Sequence, residues 1–141
     1  MEVPVASDYR QLRIWQGAMD LAEHVQRLTG TFPAGERFGI TLQLRRAAVS
    51  VPSCIAEGNA RGSTRDYYLR FLSMSAGSLA EVETQLLLAS RFGYISESAL
   101  APVLTTTHAV ARQLQALRNA LSKKLAPTTP FPVSRSPFPS P

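Results

Sequence analysis

Seven residues in the middle of the chain, Tyr68, Leu72, Ser75, Leu79, Val82, Leu86 and Ala89, follow one another at alternating steps of four and three. Strand side chains alternate between faces with period two, so a strand cannot gather them; a helix brings positions three and four apart onto one side. Kept up without a break, the spacing is a heptad seam, which belongs to long helices packed at a shallow angle. Ser63-Thr64-Arg65-Asp66 offers a capping-box-like start, with Asp in place of the usual Glu. A helix from there to about Phe92 measures roughly 43 Å at 1.5 Å per residue, and Gly93 ends it. Tyr67, Phe71, Met74, Leu87 and Leu88 widen its apolar surface beyond what one partner needs.

A seam of that length needs helices to pack on, and the sequence supplies three. The first begins near Leu12, with Trp15, Ala18, Met19, Ala22, Val25 and Leu28 as its apolar stripe and Asp20, Glu23 and Arg27 on the other side. Turn formers from Thr29 to Gly35 close it. The second is expected from about Glu36 towards Asn59, with Ile40, Leu44, Ala47 or Ala48, Val51 and Ile55 in step and Pro52 as a kink. Small residues around Pro52 predict a close helix crossing, and Gly58 and Gly62 the stop. The fourth starts between Ser96 and Ala101 and carries Val103, Thr107, Val110, Leu114, Leu117 and Leu121. Short connections make consecutive helices antiparallel, so the expected fold is an all-α, up-down-up-down four-helix bundle over residues 12–126. Residues 1–11 read as an extension. Six prolines among the fifteen residues of 127–141 predict a disordered, solvated tail that folding does not need, with its repeated Pro-Phe-Pro as an alternative docking segment.

The chemistry of the side chains argues against catalysis. Metal-dependent bundles use Glu-x-x-His on two helices; His24 and His108 are the only histidines, and neither has an acid three residues before it. No arginine precedes either at the spacing of helical RNA-cleaving domains. Cys54, the only cysteine, sits among small residues as a buried structural thiol and allows no intramolecular disulfide. Glu81 and Glu83, two apart on a helix, face different ways, and no phosphate-binding glycine loop is present. The chain is therefore expected to be no enzyme, with no cofactor, no metal and no small-molecule substrate. No run approaches the ~20 apolar residues that span a bilayer, and no signal peptide opens the chain. The expected compartment is the cytoplasm.

What remains is charge. Fifteen Lys and Arg against ten Asp and Glu give a formal +5, which favours polyanions. Between Arg37 and Arg70 lie six arginines and only two acids, Glu57 and Asp66. Arg61, Arg65 and Arg70, with Lys123 and Lys124 at the end of the fourth helix, are the candidates for phosphate contacts. Arg46, Ser50, Glu57 and Arg61 instead fall on one polar stripe of the second helix. For Arg46, Ser50 and Glu57, with Glu83 on the third helix, the favoured role is a structural polar network within the bundle or between subunits, since arginine suits buried ion pairs.

Several stretches together resemble a known family: Leu12-Arg-Ile-Trp15 through Ala22, Phe32-Pro33 before Glu36-Arg-Phe-Gly39, and Gln43-Leu-Arg-Arg46 through Pro52. Ile55-Ala-Glu57-Gly58 to Arg61, and Tyr68 through Gln85 with Gly77-Ser78 and Glu81, continue the likeness. They resemble the bacterial four-helix-bundle proteins encoded in intervening sequences of large-subunit ribosomal RNA genes, strongly over residues 12–95. The resemblance implies a homopentamer, a tapered barrel of five bundles around a channel, with no established activity. A more distant relative, the accessory variability determinant of diversity-generating retroelements, binds a reverse transcriptase and nucleic acid. Cys54 stands where the family usually has Asn, and the Pro-rich tail lies outside the pattern. The implied role is a non-catalytic binding or scaffold protein engaging RNA, DNA, a ribonucleoprotein or a nucleic-acid enzyme; the alternative is a structural or protein-interaction ring that binds no nucleic acid.

Overall fold

The computed structural model describes residues 8–60 and 64–125. Four helices occupy them: α1 (Arg13–Thr29), α2 (Ile40–Ala60), α3 (Arg65–Arg91) and α4 (Glu97–Leu125), with short 3-10 turns at Tyr9–Gln11 and Ala34–Glu36. Each helix packs on two neighbours, α1 on α2 and α4, and α3 on α2 and α4, while the diagonal pairs stay apart. Side-chain bonds fix the directions. Arg45 near the start of α2 donates to Thr29 Oγ1 (2.7 Å) and the Gln26 carbonyl (3.3 Å) at the end of α1. Ser75 donates to the Val51 carbonyl (2.9 Å) and Ser78 to Ser50 Oγ (2.9 Å). Between α3 and α4, Arg118 reaches Ser73 (3.3 Å) and His108 meets Glu83 (2.9 Å). Residue numbers rise on one helix as they fall on the next, so the chain is an antiparallel up-down-up-down four-helix bundle.

The core is what the heptad pattern predicts on α3, whose buried residues are Tyr68, Leu72, Ser75, Leu79, Val82, Leu86 and Ala89. On α4, Val103, Thr107, Val110, Leu114 and Leu121 are buried, and Leu117 is half-buried. Leu21, Leu44, Ile55, Leu72, Leu86, Leu114 and Leu121 are wholly enclosed, each worth roughly 1.5–3 kcal/mol of apolar burial. The polar members of the seams are satisfied: Ser75 through Val51, and Thr107 through the Val103 carbonyl at 2.7 Å.

Three expectations are corrected. The core face of α1 is Ile14, Ala18, Leu21 and Val25, whereas Trp15 and Ala22 are only half-buried and Met19 is exposed. The second helix begins at Ile40 instead of near Glu36, because Ala34–Glu36 forms a 3-10 turn whose Glu36 carbonyl accepts from Gly39 at 2.9 Å. Gly58 does not stop α2. It is buried inside the helix, and a Cβ there would lie 2.7 Å from Phe71 Cβ, so it permits the close α2–α3 crossing that the small residues foretold. Gly62 lies outside the described residues, as do the disordered reading of 127–141 and most of the 1–11 extension. The caps explain the remaining boundaries. Thr64 accepts from the Tyr67 N–H (3.1 Å) to open α3. Gly93, at φ +82, closes it in a Schellman turn, with Gly93 N–H bonded to the Ser90 carbonyl and Tyr94 N–H to that of Ala89.

Candidate functional site

Antiparallel packing puts the starts of α1 and α3 and the ends of α2 and α4 at one end of the bundle. Arg65 and Arg70 sit exposed on the first turns of α3, and Lys123 is exposed near the end of α4. Arg70 and Lys123 have no ion-pair partner among the described residues. Arg118 is held close by through Ser73, and Arg13, which the sequence reading passed over, is exposed at the start of α1. The acids at this end are fewer: Asp8 is engaged by Arg10 at 2.9 Å, and Glu57 and Asp66 are exposed. The Arg10 guanidinium and amide bonding to Asp8 hold that carboxyl below its ordinary value. Arg61 lies outside the described residues, and so does the side chain of Lys124. Among the described residues this end carries more cations than carboxylates, which suits phosphates.

Arg46, Ser50, Glu57 and Glu83 do not form one buried network. Arg46 is exposed and has no hydrogen bond or ion pair among the described residues. A charge reaching water needs no buried counter-ion, so the expected internal ion pair is absent. Ser50 instead joins α2 to α3 through Ser78, with Cys54 Sγ 3.7 Å from its hydroxyl. Glu57 is exposed, and Glu83 lies on the other flank of α3, bonded to His108.

Arg46 does border something. With Gln43, Ser50, Ser78, Glu81 and Gln85 it lines a groove of about 280 Å³ between α2 and α3. Gln85 Oε1 is buried there with no hydrogen-bond partner among the described residues. On α3 the lining residues belong to a second stripe, Met74, Ser78, Glu81, Gln85, Leu88 and Phe92, which repeats the heptad spacing on the outer side of the helix. Met74, Leu88 and Phe92 are large apolar groups left in solvent. The stripe is thus apolar at its ends and polar in its middle.

A larger groove of about 450 Å³ runs between α1 and α2, over Tyr9, Trp15, Met19, Ala22, Val49 and Pro52, with Glu23 at its rim. Its walls are the stripe that the sequence assigned to the core of α1. At the far end of the bundle Phe38 is 77% exposed, with the Arg37 guanidinium 4.8 Å from its ring centre. There Tyr94 donates to Glu36 Oε2 (2.8 Å), and that bond, with burial, raises the tyrosine above its ordinary range.

Among the described residues no group of three His, Cys, Asp or Glu could hold a metal ion. Cys54 is buried against Ser50. No described helix is long and apolar enough to cross a membrane.

Residues 10–116 match the family model described as 23S rRNA-intervening sequence protein. Among solved structures, the chain is similar to a protein of unknown function from Bacteroides thetaiotaomicron, described as from the S23 ribosomal protein family. The TM-score is 0.69 at 17% identity, with 74% of this chain and 97% of that one covered; at that identity the likeness speaks for the fold alone. No curated protein matches the sequence.

Proposed function

The chain belongs to the 23S rRNA-intervening sequence protein family, and from that premise we propose that it acts by binding, without catalysis, as a homo-oligomeric ring that holds RNA against the basic end of each bundle. The observation that carries this reading is that Arg65 and Arg70 on the first turns of α3 and Lys123 near the end of α4, more than fifty residues further on in sequence, are all exposed at the same end of the bundle. Exposed cations at one end of the bundle attract a phosphate backbone without demanding a particular base sequence. The formal charge of +5 acts in the same direction over a longer range.

Self-association is the second part of the reading, with five copies as the number that the family resemblance implies. Its support is the outer stripe of α3. Exposed Met74, Leu88 and Phe92 gain by burial against another chain. Arg46 and Glu81 bring opposite charges to the same groove, so neighbouring copies can pair them, and Gln85 Oε1 still needs a donor. If the ring forms but no nucleic acid binds, the same stripe supports the alternative, a protein-interaction ring. Mass measurement in solution combined with RNA binding at low salt tests both parts. A monomer at micromolar concentration removes the ring, and absence of binding to RNA or DNA removes the nucleic-acid role.

A further inference from the structure

The α1–α2 groove, about 450 Å³, is lined largely by apolar side chains, and nothing within the described residues fills it. Trp15 stands half-buried in it, while Met19 and Val49 are 40% and 57% exposed. Tyr9 packs edge-on against Trp15, with ring centres 5.4 Å apart, and lines the groove at the end nearest the basic end of the bundle. Pro52 makes part of the floor, and Glu23 is the one carboxylate on the rim. Among the described residues Glu23 is held by Arg27 at 3.6 Å, an exposed pair one helical turn away, and such pairs contribute little.

We propose that the proline-rich segment after α4, residues 127–141 of the same chain, lies in this groove with Phe131 against Trp15 and Arg135 beside Glu23. Aromatic-lined grooves take proline-rich peptides because the extended polyproline II helix is already ordered and gives up little entropy on docking. The segment has the matching chemistry: two Pro-Phe-Pro repeats, at 130–132 and 137–139, and a single charged residue, Arg135. The groove has the complement, apolar walls and a single carboxylate. The spacings agree as well. Phe131 to Arg135 spans about 12 Å at ~3.1 Å per residue of polyproline II, and Trp15 to Glu23 spans about 12 Å at 1.5 Å per helical residue.

The attachment point permits it. Gly17 of α1 lies opposite Val110 and Gln113 of α4, so Leu125 is about 18 Å further along α4 at 1.5 Å per residue, at the end where Tyr9 opens the groove. Six residues of polyproline II, about 19 Å, carry the chain from Leu125 to Phe131. The tail therefore enters beside Tyr9 and runs along α1 towards Gln26. The helical core is complete without it, so docking covers Trp15 and Met19 and leaves the fold as it is.

Trp15 is the only tryptophan of the chain, and its emission reports on the groove directly. The comparison is between the full chain and one ending at Ala126, with circular dichroism as the check that both keep their helices. Deletion is expected to shift the emission to the red and to raise its quenching by acrylamide. Phe131→Ser does the same to a lesser degree. A synthetic 127–141 peptide restores the shielded spectrum saturably, at concentrations on the order of the millimolar effective concentration that a short tether provides. Glu23→Arg weakens shielding in the full chain, and Glu23→Arg combined with Arg135→Glu recovers it. Identical emission and quenching in the two chains overturn the proposal. So does shielding that survives deletion but is lost on dilution, since a second copy would then occupy the groove. Shielding of the full chain that fades on dilution overturns docking within one chain.

Discussion

Two glycines inside helices of this bundle should respond to alanine with opposite signs. Gly58 lies in α2 where it crosses α3, and an added Cβ would sit 2.7 Å from Phe71 Cβ and 3.2 Å from Tyr68 Cδ1. Carbon atoms rest at about 3.5–4.0 Å, and Phe71 Cβ is fixed by its own backbone, so the helices must separate by close to 1 Å. Overpacking of that kind costs about 1–3 kcal/mol, against which alanine recovers at most ~1 kcal/mol of helix propensity. Gly58→Ala is therefore expected to lose about 1–2 kcal/mol. Gly77, in the middle of α3, has no atom within 4 Å of the added Cβ, so Gly77→Ala should gain about 0.5–1 kcal/mol. Thermal unfolding resolves both, at roughly 4 °C per kcal/mol for a domain of this size. A Gly58→Ala chain as stable as Gly77→Ala would refute the close α2–α3 crossing on which the Ser50–Ser78 and Val51–Ser75 bonds depend.

Arg46→Ala should change the stability of the dilute chain by no more than about 0.5 kcal/mol, because an exposed, unpartnered arginine leaves nothing stranded, while weakening self-association in sedimentation; a loss of several kcal/mol at low concentration would contradict its exposed placement. Tyr68 is held above the ordinary tyrosine value by burial, partly opposed by its bond to Asn59, and Tyr94 is shifted the same way by Glu36. Folded-state values above the unfolded ones mean that this stability is intact below pH 10 and is lost as pH rises past it. Phenolate absorbance followed together with circular dichroism should show Tyr68 ionising only as helicity falls; ionisation of every tyrosine near pH 10 with helices intact would contradict its burial.

The long seam of α3 was legible because its heptad spacing is sustained from Tyr68 to Ala89, which leaves one side of the helix to bury. On α1 two adjacent stripes are apolar, Ile14-Ala18-Leu21-Val25 and Trp15-Met19-Ala22, and periodicity alone does not choose between them. The bundle buries the stripe with the smaller residues and leaves Trp15 on the flank. Gly58 was misread for a related reason: a glycine late in a helix is a common stop, and only the position of Phe71 shows that it serves an approach. Lys123 and the arginines near residue 65 were legible singly, and the up-down topology places them together. Arg46 is the opposite case. Its residue type suggested an internal ion pair, but an exposed position on α2 depends on the angle of packing, which spacing does not encode. The Glu83–His108 and Glu36–Tyr94 bonds join residues 25 and 58 apart, with no local signal to announce them.

The most direct test of binding through the basic end is the salt dependence of affinity for single-stranded RNA, measured for the natural chain and for a variant with Arg65, Arg70 and Lys123 all replaced by Gln. Each phosphate contact contributes about 0.7 to the slope of log affinity against log salt for a single strand. The variant should bind more weakly at low salt, with a slope shallower by up to roughly 2 and an unchanged helical signal. No binding by the natural chain at low salt, or a variant whose affinity and slope match it, would contradict the account.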